Sequence, residues 1–126
     1  MIEGMSPILF VEEIEPCLGF WVEKLGFQVI AQVPDEDRLG FAMLRKEDLQ
    51  VMYQTHRSVA RDLVGVQTQA GGCLYCVVKD FDAVVKAMEG VETPVPPRKT
   101  FYGADEIFVR EPGGNLIGFS FHRGEE

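Results

Sequence analysis

The residue types able to do covalent, acid–base or metal chemistry are few in this chain: three cysteines, two histidines and 20 carboxylates. Cys73-Leu74-Tyr75-Cys76 has the C-x-x-C spacing of a dithiol redox site, or of half a zinc site. Redox pairs of that form sit at a helix N-terminus, where the dipole lowers the thiol pKa. Here Cys73 to Val78 reads as a strand, which turns residues three apart to opposite faces. No second C-x-x-C completes a zinc site. As a nucleophile, Cys73 needs a neighbouring base to form its thiolate, and the sequence shows none clearly. His56 and His122, with Glu106 as a third group, are candidates for a metal site or for acid–base chemistry. The alternative is two surface histidines near strand ends.

Two similar halves must position these residues. In the first, Pro7 to Val11 is a β-type run, and Glu12 to Pro16 leads into a helix with Pro16 in its first turn. Leu18, Trp21, Val22 and Leu25 recur at helical spacing, and Gly26 stops the helix. Trp21 is read as packing that helix on a sheet, with ligand stacking as the other option. Strands follow at Phe27 to Val33, Leu39 to Arg45 and Leu49 to Gln54, separated by polar turns.

The second half repeats this order. Cys73 to Val78 is a strand, Asp80 or Asp82 an N-cap, and Val84, Val85 and Met88 a short helix ended by Gly90. Val91 to Val95 is extended but interrupted by Pro94; Glu106 to Arg110 is a strand, Glu111 to Asn115 a turn, and Leu116 to His122 the last strand. Val11 matches Val78, Gly26 matches Gly90 and Met52 matches Gly118, an offset near 66 residues. This points to a duplicated unit: module one over residues 6–54, a linker over 55–72 with a helical turn around Val59 to Val64, and module two over 73–122. Each module is too small to be a comfortable domain alone, so the 126 residues are expected to form one domain.

Composition narrows the functions. Apolar residues make up 46% and charged residues 25%, and no apolar run reaches the roughly 18 residues of a membrane span. Met1 to Ser6 shows no basic stretch before an apolar core, so no secretory leader is expected and a cytoplasmic location is. The odd cysteine count then argues against a disulfide framework. The formal charge of −8, without a cluster of Lys and Arg, disfavours nucleic acid. It suits a cationic ligand, or simply solubility.

Phe20-Trp21 with Leu25-Gly26-Phe27 in one half, and Glu111-Pro112-Gly113-Gly114-Asn115-Leu116-Ile117 in the other, set in a paired βαβββ order, carry a family pattern. The chain resembles the glyoxalase / bleomycin-resistance / extradiol-dioxygenase superfamily over about residues 6 to 122. The resemblance implies an α+β fold in which two tandem βαβββ modules form a curved, partly open mixed β-barrel with helices outside. It also implies a small-molecule cavity, a homodimer and, in enzymatic members, one divalent metal held by His and Glu from four strand positions.

Carried over by motif, those four positions are Ser6 (Ile8 in the alternative register), Met52, Cys73 and Gly118. Only the Cys73 thiolate is a good ligand, whereas divalent cations need several N or O donors. No metal or other cofactor is therefore expected, and the Lewis-acid chemistry of the family has no source. Residues in phase with the four positions are Ile8, Phe10, Gln50, Gln54, Tyr75, Val77, Leu116, Ser120 and His122. Apolar walls with a few hydrogen-bonding groups suit a small organic ligand. Phe101, Tyr102 and Gly103 form either a pocket lid or an anchor. The expected function is metal-free small-molecule binding, as in a protein that sequesters a toxic or antibiotic-like compound. The alternatives are a lyase, isomerase or dioxygenase-like enzyme using His122, His56, Glu106 or Cys73, and a regulatory module working through a partner surface.

Overall fold

Each half of the chain folds around one four-stranded sheet in this computed structural model, which describes residues 1–68 and 73–124. The halves are two compact units, residues 1–70 and 71–126. In the first unit β1 (Ile8–Val11) is followed by α1 (Glu15–Gly19), a π-helical turn (Phe20–Lys24), β2 (Gln28–Asp35), β3 (Arg38–Lys46) and β4 (Leu49–Thr55). Its sheet order is β1-β4-β3-β2, with β1 parallel to β4 and the other pairs antiparallel. The second unit has β5 (Cys73–Val77), α3 (Phe81–Ala87), β6 (Glu92–Lys99), β7 (Ala104–Arg110) and β8 (Leu116–His122). Its order, β5-β8-β7-β6, repeats the first, with β5 parallel to β8. The architecture is α+β, with two mixed sheets, neither closed on itself. Among the described residues no helix is long and apolar enough to cross a membrane.

The duplicated βαβββ order is visible in the register. Ile8 pairs with Met52 in one sheet, and Tyr75 pairs with Gly118 in the other. Gly26 and Gly90 end the two helical segments at φ +78° and +86°, a conformation that costs other residues more. Asp80 caps α3 by accepting a bond from the Ala83 N–H at 3.1 Å.

Three expectations need correction. The buried helical face in the first unit is Ile14, Cys17, Phe20 and Trp21; Val22 is exposed, and Leu18 and Leu25 are half-buried. Cys and Phe are as prone to burial as Leu and Val, and the wider π turn carries Val22 outward. The segment at Val91 does not stop at the prolines: β6 runs to Lys99 through Pro94, Pro96 and Pro97. It can because it is an edge strand, where a missing N–H need not break a ladder. The helix of the linker, α2 (His56–Asp62), starts earlier than Val59, because the Thr55 Oγ1 accepts a bond from the Ser58 N–H at 3.1 Å and caps it. The last linker residues, 69–72, lie outside the described residues.

One face of each sheet is core. In the first unit Ala42, Leu44, Val51 and Tyr53 are fully buried, and the Trp21 Nε1–H donates to the Tyr53 Oη at 2.9 Å. Phe20, Trp21 and Phe27 stack edge-to-face with centroids 5.3 and 5.1 Å apart. In the second unit Ile107, Val109, Ile117, Phe119 and Met88 are buried. At about 1.5–3 kcal/mol per fully buried large side chain, this burial stabilises each unit by itself. The opposite faces carry most of the candidate site residues.

Candidate functional site

Strand alternation sets the site on the second sheet. Cross-strand partners form two adjacent rows on its open face. One row is Val95, Phe108, Gly118 and Tyr75; the next is Arg98, Glu106, Ser120 and Val77. Val95 and Arg98 are three apart, so simple alternation would put them on opposite faces. A register shift between them, at Pro96-Pro97, adds a residue and aims Arg98 onto the face.

Gly118 is the centre of the first row, and the ring of Phe108 occupies the space it leaves. A Cβ built on Gly118 would lie 2.5 Å from the Phe108 Cε2 and 2.9 Å from its Cδ2. The Arg98 guanidinium lies over that ring, 5.8 Å from its centroid, a cation–π contact. The Tyr75 ring is tilted against it with centroids 6.2 Å apart.

Glu106 is the centre of the second row and is 1% exposed. Its Oε1 accepts from the Arg98 Nη2 at 2.9 Å and from the Tyr102 hydroxyl at 2.8 Å. Its Oε2 accepts from the Tyr75 hydroxyl. Burial pushes the Glu106 carboxyl up, but the bonds from Tyr75, Tyr102 and Arg98 outweigh it and hold the pKa below the ordinary 4.5. The two phenols move the other way: burial and then the bond to Glu106 raise Tyr75, and the bond to Glu106 followed by burial raises Tyr102. Both hydroxyls therefore stay protonated as donors to a carboxylate. Ser120 sits beside Glu106 in the register, and its Oγ is 3.3 Å from the His122 Nε2.

The other candidates fall as follows. Cys73 lies on the same face as Tyr75, two residues earlier and opposite Leu116. Cys73 is exposed while Cys76 is half-buried on the other face, and both are free thiols; burial raises the Cys76 pKa to about 11. Phe101, 100% exposed, stacks edge-to-face on Tyr102, whose hydroxyl is the group of this loop that bonds Glu106. In the first unit Phe10 pairs with Gln54, whose Nε2 donates to the Ser58 Oγ at 3.0 Å. Ser6 accepts from the Gln50 Nε2 at 2.8 Å, and both line a groove of about 410 Å³ with Met5, Arg45, Glu47 and Asp48. His56 opens α2, its Nδ1 2.8 Å from the Thr68 Oγ1.

Arg98 and Phe108 escaped the sequence reading. Phe108 had a usable signal, since it alternates with Glu106 and so shares its face. Arg98 had none, because the shift at Pro96-Pro97 decides where it points. Among the described residues no group of three or more His, Cys, Asp and Glu is placed to hold a metal ion.

Comparison with known proteins gives a consistent result. The model of the Glyoxalase/Bleomycin resistance protein/Dioxygenase superfamily matches residues 5–119. A glyoxalase-related enzyme from Fulvimarina pelagi superposes with a TM-score of 0.78 at 16% identity, covering 96% of this chain and 89% of that one. A glyoxalase/bleomycin resistance protein/dioxygenase from Nocardioides gives 0.76 at 15%, covering 100% and 87%. TioX from Micromonospora sp. ML1 gives 0.71 at 21%, covering 95% and 98%. At these identities the likeness is one of fold. No curated protein matches the chain significantly.

Proposed function

Because the chain belongs to the glyoxalase/bleomycin resistance protein/dioxygenase superfamily, we propose that it binds a small organic molecule on this face and works without a bound metal, as a sequestering protein would. The observation that carries the reading is the Phe108–Gly118 pair. Gly118 stands where the family pattern has a carboxylate, and an aromatic ring fills the space such a side chain would need. The other three positions offer a hydroxyl at Ser6, a thioether at Met52 and a thiol at Cys73. That donor set does not fit a hard or borderline divalent cation. What the face offers instead is aromatic surface from Tyr75, Phe108 and Tyr102 beside a fixed polar cluster, the combination small-molecule sites use.

A second reading rests on the polar cluster itself. Tyr75, Glu106, Ser120 and His122 lie on one face, and such groups can move protons without a metal. Two measurements test these readings. Metal content per chain after purification without added metal or chelator, and again after incubation with zinc, nickel, manganese and iron, checks the metal-free premise. An assay for turnover separates binding from proton chemistry. Near-zero content throughout, with saturable binding of a small ligand and no turnover, is the expected result. Stoichiometric metal would overturn the metal-free reading, and turnover abolished by His122→Ala would favour the second.

A further inference from the structure

We propose that the ligand of this face is an organic anion, an aromatic or apolar body carrying a carboxylate, and that Arg98 is the residue that selects it. This deepens the small-molecule-binding reading and rests on it. The net charge of −8 favours a cation at long range. Beyond the Debye length of about 8 Å, however, that field is largely screened in physiological salt. The contacts decide, and on this face they favour the opposite sign.

Glu106 is closed to a ligand. Both of its oxygens already accept bonds, and almost none of its surface is exposed. An incoming ammonium would have to unseat Arg98 or a tyrosine to reach it. Arg98 is open: half of its side chain is exposed. The Pro96-Pro97 shift aims it onto the face, Glu106 fixes its Nε and Nη2 from below at 3.3 and 2.9 Å, and Phe108 lies under its plane. A guanidinium has five N–H donors in a fixed fork that matches a carboxylate. Held this way, it loses little further freedom on binding. Tyr75, 46% exposed, and Val77, 70% exposed, give the apolar body a surface in the same two rows.

The test uses three probes that share one ring: 1-naphthoate, 1-naphthylmethylamine and 1-naphthylmethanol, titrated into the full chain at neutral pH in low salt. Naphthoate should bind at least about tenfold more tightly than the amine or the alcohol. Arg98→Gln alone leaves a buried carboxylate without its cation and risks misfolding, so the decisive variant is Arg98→Gln/Glu106→Gln, which removes both charges. There the preference for naphthoate should fall to less than twofold. If the amine or alcohol binds as tightly as naphthoate, or if the preference survives in the double variant, the anion proposal fails while the binding reading stands. If none of the probes binds, both fail.

Discussion

Gly118→Ala isolates the close fit at the centre of the second sheet. Replacing a mid-strand glycine by alanine normally helps, by about 0.5–1 kcal/mol. Here the new Cβ would sit 2.5 Å from a ring carbon of Phe108, so the ring must move. Moving it disturbs its contacts with Arg98 and Tyr75. Overpacking of this kind costs about 1–3 kcal/mol, so at the middle of both ranges the clash wins and the net loss is about 1 kcal/mol. With a urea m-value of about 2 kcal/mol/M, the midpoint should fall by roughly 0.5 M. Far-UV circular dichroism is the suitable probe, because the single tryptophan, Trp21, belongs to the first unit. In Phe108→Ala/Gly118→Ala the methyl has room, so the double variant should be more stable than the sum of the singles predicts, by about 1 kcal/mol or more. A Gly118→Ala that stabilises, or singles that add within about 0.5 kcal/mol, would refute the idea that Phe108 fills the glycine's space.

Tyr53→Phe removes the acceptor of the buried Trp21 N–H and should cost about 1–3 kcal/mol, seen as a lower urea midpoint in tryptophan fluorescence. Glu106 has a folded pKa below 4.5; its stabilisation is full above about pH 4.5 and is lost as pH falls through the folded value. Glu106→Gln should therefore flatten part of the acid limb of a stability–pH curve. Tyr75 and Tyr102 have folded values above 10.0, so their contribution holds below pH 10 and is lost as pH rises through those values; phenolate absorbance should lag that of a free tyrosine. Alkylation at pH 8 should modify exposed Cys73 first, because Cys76, at about 11 against an ordinary 9.0, holds roughly a hundredfold less thiolate.

The fold was readable because period, glycine stops and an internal repeat agreed. Gly26 and Gly90 end the helical segments, and the Met52–Gly118 match reappears as Ile8–Met52 and Tyr75–Gly118 pairing in the two sheets. Alternation also placed Tyr75, Ser120 and His122 on one face, and the strand register adds Glu106 to it beside Ser120. What alternation could not supply was anything decided by a break in it. Arg98 reaches the face through an irregularity in β6, and Val22 turns outward through a widened helical turn. The meaning of Gly118 was half legible: the missing side chain shows in the sequence, but that Phe108 fills the space follows from packing across strands ten residues apart.

The prolines of β6 reach beyond the site. Among the described residues this strand pairs only with β7, so its far side is a sheet edge of the kind that invites further strands. Pro94, Pro96 and Pro97 carry no N–H, so that edge lacks donors along its middle. A strand from another chain, native or misfolded, could not zip onto it in a regular ladder. Growth of this sheet by strand addition, whether into a functional dimer or an aggregate, is left to the β5 edge. The same dipeptide that aims Arg98 thus makes the sheet extendable from one side alone.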